Sequence, residues 1–307
     1  MKERKLSNPN ASAETRMLYD YICSQFGKKI ISGQQEDPRM LSHDNEIRYI
    51  KAYTDKYPAI RGLDYIHDDF TGVNERAHAW WKKGGIVTIC WHWGAPPHGI
   101  GYPSSQETID IKEALTRGTT LHKEMIARMD EVAEALKILR DENIPVLWRP
   151  FHEFDGAWFW WGKSGEKDFI ALWKLMYDRF TNFHGLNNLI WVLGYSHELK
   201  NGWYVGDDYY DIIGFDIYKE GIHKDRFDQL QTLAGKEIPI CYHENGPIPD
   251  PEEMKKERFY WSWFMTWHTI HIMEQNTVAY MKKVYHHPAV ITLDQLPDWK
   301  EQVNIYR

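Results

Sequence analysis

Glu153 ends an apolar run beside His152 and is followed by a run of four aromatics, Trp158 to Trp161, in Trp148-Arg149-Pro150-Phe151-His152-Glu153-Phe154-Asp155-Gly156-Ala157-Trp158-Phe159-Trp160-Trp161-Gly162. A carboxyl held at a strand end under tryptophan suits protonation of a sugar leaving oxygen. Aromatic faces stack on the apolar C–H faces of pyranose rings. An apolar lid also raises a carboxyl pKa, so the group keeps its proton near neutral pH. A second carboxylate, Glu244, closes a later run in His243-Glu244-Asn245. Two carboxyl groups about 5–5.5 Å apart are the geometry for glycoside hydrolysis by double displacement.

Each candidate has a plainer reading. Glu153 as general acid competes with a structural ion pair to Arg149, four residues earlier and on the same strand face. Glu244 as nucleophile, with Tyr218 and His243 as hydrogen-bond donors, competes with a carboxylate that caps the turn Asn245-Gly246-Pro247. His152 is expected on the opposite strand face from Glu153, as a brace or a contact to a sugar hydroxyl. His92, between Trp91 and Trp93, is a candidate sugar contact. A metal role for His92 and His98 is disfavoured by their spacing and by the lack of nearby carboxylates. His152-Glu153 is not a zinc-protease motif, because Gly156 stands where the second histidine belongs. Trp267, after Phe259-Tyr260-Trp261-Ser262-Trp263-Phe264-Met265-Thr266, is a candidate sugar platform.

These residues need a scaffold. Apolar, β-branched runs recur at 30–34, 59–64, 86–92, 145–150, 189–193, 212–218 and 238–243, and an eighth is placed near 261–266. Continuous apolar runs of this length fit strands buried on both faces, as in a parallel sheet. Between them, apolar spacing predicts helices over 119–143 and 166–183, with shorter ones over 38–54 and near Trp80. Alternation of this kind predicts a single (β/α)8 barrel with a short extension over 1–15. A doubly wound open sheet is the runner-up, without the glycine-rich phosphate turn that a dinucleotide site needs. In a barrel, strand C-termini carry the site. That end gathers Asp64, His92, Glu153, Asp216, Tyr218 and Glu244.

At 307 residues one barrel would use the whole chain, and 43% apolar residues are enough for its core. A net charge of −7 argues against nucleic acid or anionic membranes as partners. No run of 18 apolar residues is present, so no membrane span is expected. Fifteen Trp and eighteen Tyr exceed the needs of a core and favour a carbohydrate cleft. Cys23, Cys90 and Cys241 predict no disulfide framework and no zinc site. Residues 1–7 lack an apolar stretch, so no signal peptide is expected there.

The Arg149-Pro150-Phe151-His152-Glu153 run, with Gly156 and Trp158-Phe159-Trp160-Trp161-Gly162, resembles the β-mannanases of glycoside hydrolase family 26, and the likeness extends over roughly 33–267. The resemblance implies Glu153 as acid/base and Glu244 as nucleophile. It also implies His92, His152, Trp158, Tyr218 and Trp267 as substrate contacts, Tyr218 bonding the nucleophile. It further implies a monomer acting on β-mannan outside the cell or at its surface, with no cofactor and no metal. Two positions depart from the family pattern, Phe154-Asp155 and His243, the latter where a small hydroxyl residue is common. Open alternatives are an exo-acting, mannobiose-releasing enzyme, a β-1,3-xylanase or mixed-linkage glucanase of the same family, and a catalytically silent sugar-binding protein.

Overall fold

The structure is a computed structural model that describes residues 5–39, 42–197, 199, 201–235 and 237–306. Eight of the apolar runs form strands: β1 (Ile30–Gln35), β2 (Ile60–Asp64), β3 (Ile86–Trp91), β4 (Val146–Pro150), β5 (Leu189–Tyr195), β6 (Ile212–Ile217), β7 (Ile240–Asn245) and β8 (Trp263–Thr266). All pair in parallel and in chain order, and β1 bonds both β8 and β2, which closes the ring. Every strand residue is buried, because side chains fill the barrel inside and helices cover it outside. The fold is therefore a (β/α)8 barrel, and closure rules out the doubly wound sheet.

Several boundaries move for identifiable reasons. Pro239 precedes β7 rather than starting it, and its carbonyl accepts the Ile213 N–H at 3.3 Å. The helix expected over 119–143 runs Thr120–Asp141, with the Thr119 side chain capping the His122 N–H. The helix expected over 166–183 is α-helical over Glu166–Asp178 and widens to a π turn over Arg179–Phe183. The one expected over 38–54 begins at Asn45. Residues 40 and 41 of that span lie outside the described residues. Asp37 bonds the Arg39 N–H at 2.9 Å, a local turn that competes with helix at this point.

The span expected as an extension over 1–15 includes residues 1–4, outside the described residues, and a docked remainder. Asn8, Ala11 and Thr15 are buried, and Ser12 caps the helix Ala13–Gln25 through the Thr15 N–H. That helix presses Met17, Leu18, Tyr19 and Ile22 against the lower barrel interior, where Ile31, Ile60, Ile86 and Trp263 meet. A two-residue strand, β9 (Val290–Ile291), adds in parallel to Ile30 and Ile31. It occupies the edge of β1 below the point where pairing with β2 begins, at Gly33. Cys90 and Cys241 are buried free thiols. No helix among the described residues is long and apolar enough to cross a membrane.

Candidate active site

At the C-terminal ends of the strands lies an open cavity of about 1500 Å³, whose lining includes Asp64, His92, Tyr102, Glu153, Trp158, Phe159, Asp216, Tyr218, Glu244, Trp267 and His268. Six of the seven expected site residues line it directly. The seventh, His152, is buried just beneath, with Nε2 at 3.2 Å from Nε2 of His92 and 3.8 Å from Oε1 of Glu244.

Glu153 does not stand on a regular strand. β4 ends at Pro150, and Phe151 and Glu153 both take left-handed backbone conformations, φ 49° and 56°. Non-glycine residues rarely adopt this region, at a cost of about 1 kcal/mol or more each. The turn is held by the Glu153 N–H donating to Gly194 O at 2.9 Å. Strand alternation therefore does not separate His152 from Glu153, as had been expected, and both face the cavity end of the barrel. The aromatic roof is also thinner than expected. Trp160 and Trp161 are core residues whose indole N–H groups donate to Trp93 O and His152 O. Trp158 covers the acid, and its Nε1–H donates to Glu153 Oε2 at 2.9 Å. Asp155, one of the departures from the family pattern, accepts the Ser196 and His197 N–H groups and so ties this turn to the loop after β5.

Burial first, and then the neighbouring charge of Glu244, pushes the Glu153 carboxyl up to about 7, although the Trp158 bond pulls the other way. This group therefore holds its proton up to about pH 7. Arg149 leaves Glu153 alone; its Nη1 donates to Glu244 Oε1 at 2.8 Å, both side chains being essentially buried. The guanidinium also donates to Thr88 Oγ1 and to Gln35 Oε1, each at 3.0 Å. The Tyr218 hydroxyl donates to Glu244 Oε2 at 3.0 Å. His243, expected to donate to Glu244, turns away and bonds Asp216 at 2.5 Å. The turn-capping reading of Glu244 fails, since Asn245 bonds the turn carbonyls instead.

His92 does have a carboxylate beside it, contrary to expectation: Nδ1 is 2.6 Å from Asp64 Oδ2. Burial opposes charging of His92, but Asp64 outweighs it and the pKa is raised. His152, buried beside other cationic groups, is held far below the usual histidine range. The pair therefore divides the roles: Nε2–H of His92 donates and Nε2 of His152 accepts. The donor atoms of Asp64, Cys90 and His92, and those of Asp216, His243 and Glu244, each gather within 4.8 Å. A hydrogen bond already joins two members of each group, and the Arg149 cation sits against the second. Neither is a ready-made cation site. Sequence reasoning gave Tyr102 and Asp216 no role. Asp216 is the last residue but one of β6, two before Tyr218, which was a usable signal, whereas Tyr102 reaches the cavity from a short helix, Gly101–Ser105, that no pattern marks.

The model of glycosyl hydrolase family 26 matches residues 7–295. A mannan endo-1,4-β-mannosidase of Thermothelomyces thermophilus is 36% identical, over 97% of this chain and 64% of that protein. Mannan endo-1,4-β-mannosidase B of Piromyces sp is 35% identical, over 98% of this chain and 55% of that protein. The chain thus spans somewhat more than half the length of these curated relatives. Among solved structures, the β-mannanase from a symbiotic protist of the termite Reticulitermes speratus, complexed with gluco-manno-oligosaccharide, superposes with a TM-score of 0.90. It is 31% identical, over 97% of this chain and 98% of that one.

Proposed function

The chain belongs to glycosyl hydrolase family 26, and from that premise we propose that it hydrolyses internal β-1,4-mannosidic bonds of mannan, glucomannan or galactomannan with retention. Glu153 protonates the leaving oxygen while Glu244 attacks the anomeric carbon, forming a glycosyl–enzyme ester. Glu153 then takes a proton from water, which displaces Glu244 and releases the sugar. His92 contacts the reacting sugar with His152 bracing it from beneath, Trp158 borders the bond that breaks, Tyr218 holds the nucleophile, and Trp267 is the stacking platform. No cofactor enters this scheme. We place the enzyme outside the cell or at its surface, as a monomer in which these residues form a catalytic domain.

One observation carries the reading. Two glutamates share a cavity, one holding its proton to about pH 7 and the other paired with Arg149 and Tyr218. Different surroundings for two like carboxyls are what separate acid from nucleophile. The names of the relatives, mannan endo-1,4-β-mannosidases, support both mannan as substrate and endo action. The test is Glu244→Ala, assayed by reducing-sugar release from mannan and by products from mannohexaose. Turnover should fall by about 10⁴-fold or more with the fold retained, as for loss of a covalent nucleophile. Near-normal activity would sink the assignment, and release of mannobiose alone by the unaltered enzyme would make it exo-acting.

A further inference from the structure

His243, which departs from the small hydroxyl residue common before the nucleophile, is fully buried inside the barrel. Room for its ring comes from a glycine on the neighbouring strand. A Cβ on Gly194 of β5 would lie 2.7 Å from the ring atoms Cε1 and Nε2. On one side the ring meets Asp216, with Nδ1 at 2.5 Å from Oδ1. On the other it meets Arg149, whose Nη1 is 3.5 and 3.4 Å from the two ring nitrogens and 3.5 Å from the His243 carbonyl.

Arg149 Nη1 stands nearly equidistant from the two ring nitrogens, so it rests against the ring face and leaves the Nδ1 edge to Asp216. Burial and the Arg149 charge keep this imidazole neutral, well below the usual histidine range. The second oxygen of Asp216 has no partner among the described residues, and Asp216 lines the cavity beside Glu244. A residue present only to fill space would need neither of these polar contacts. Nor would it need Gly194 kept free of a side chain beside it.

We propose that His243 is a positioning residue for Glu244: its ring seats the Arg149 guanidinium against the Glu244 carboxylate. This rests on the role of Glu244 as nucleophile. Because the same strand residue pair, His243-Glu244, points one side chain into the barrel and the other into the cleft, the inner residue sets the frame in which the outer one reacts. A nucleophile displaced by a fraction of an ångström loses rate more than binding.

The test compares His243→Ser, His243→Asn and Gly194→Ala with the unaltered enzyme, on mannopentaose and on a dinitrophenyl β-mannobioside. The activated phenol leaves without acid help, so in kcat/KM, which reports the first step, defects in Glu153 are hidden on the second substrate and defects in Glu244 are not. His243→Ser should keep a cooperative thermal transition and lose about 100-fold in kcat on both substrates, with little change in KM. His243→Asn, which restores a donor at the Nδ1 position, should recover much of the loss. Gly194→Ala, which pushes the ring without removing it, should move kcat in the direction of His243→Ser, and it carries the test if His243→Ser does not fold. A folded His243→Ser, or failing that a folded Gly194→Ala, with unaltered kcat overturns the proposal. So does a loss that disappears on the activated substrate. If the unaltered enzyme cleaves no mannoside, the reading of function fails instead.

Discussion

Glu153 and Glu244 carry the same side chain into opposite surroundings, and the contrast comes from single neighbours. Glu153 has an indole N–H and an apolar wall; Glu244 has a guanidinium and a phenol. The bond from Trp158 favours the ionised form of Glu153, so it works against the burial that holds the carboxyl at about 7. Trp158→Phe removes that donor and keeps an aromatic face. The acid then stays protonated to higher pH, and the alkaline limb of kcat/KM should move upward. The shift is about one unit if the bond contributes about 1.4 kcal/mol. A pH–rate profile on an unactivated mannooligosaccharide reads this directly; a limb that stays in place or moves down would show that Trp158 does not govern the acid. Glu153 was legible because His152 and the tryptophans crowd about it in sequence. The Arg149–Glu244 pair was not, since its members lie 95 residues apart and meet only when the ring closes. Left-handed backbone at Phe151 and Glu153 left no trace either, because neither residue type favours it.

Among the elements, strands were the readable part. Burial on both faces makes a strand apolar throughout, and such runs need no partner to be recognised. The helix Ala13–Gln25 was harder to read, because its apolar face is split by buried Thr15 and Tyr19 and because its partner is the barrel floor rather than another helix. Its contribution is nonetheless large. Ile22 is fully buried in that floor, so Ile22→Ala leaves a cavity and should cost about 2–5 kcal/mol of stability. The helix is remote from the cleft at the other end of the strands. Thermal unfolding should therefore drop by several degrees while kcat, measured well below the transition, stays close to that of the unaltered enzyme. A parallel loss of kcat would mean that floor and mouth are coupled through the strands. β9 escaped sequence reading for a different reason: two residues make no pattern.

At the scale of the whole molecule, the ring has an uneven joint. β2 and β3 share five register pairs, whereas β1 and β2 share three, from Gly33 to Gln35. Below Gly33 the joint is filled by β9, by Ser32 Oγ donating to Ile291 O at 2.7 Å, and by the Ala59 N–H donating to Ser32 Oγ at 3.1 Å. Ser32→Ala breaks both side-chain bonds at once and leaves a buried N–H and a buried carbonyl short of partners. It should cost about 1–3 kcal/mol, visible as a lower midpoint in urea. An unchanged midpoint would mean that β9 closes the joint unaided.

That joint also bears on how the floor of the molecule opens. Cooperative units open locally according to how few bonds hold them, so amide protons near Ile30 and Ala59 should exchange with solvent before those of β3 and β4. The opening lies at the floor, one strand length from Glu153 and Glu244. Heat would thus loosen the base while the two glutamates still keep their spacing, so the catalyst would go on turning over substrate as it begins to melt.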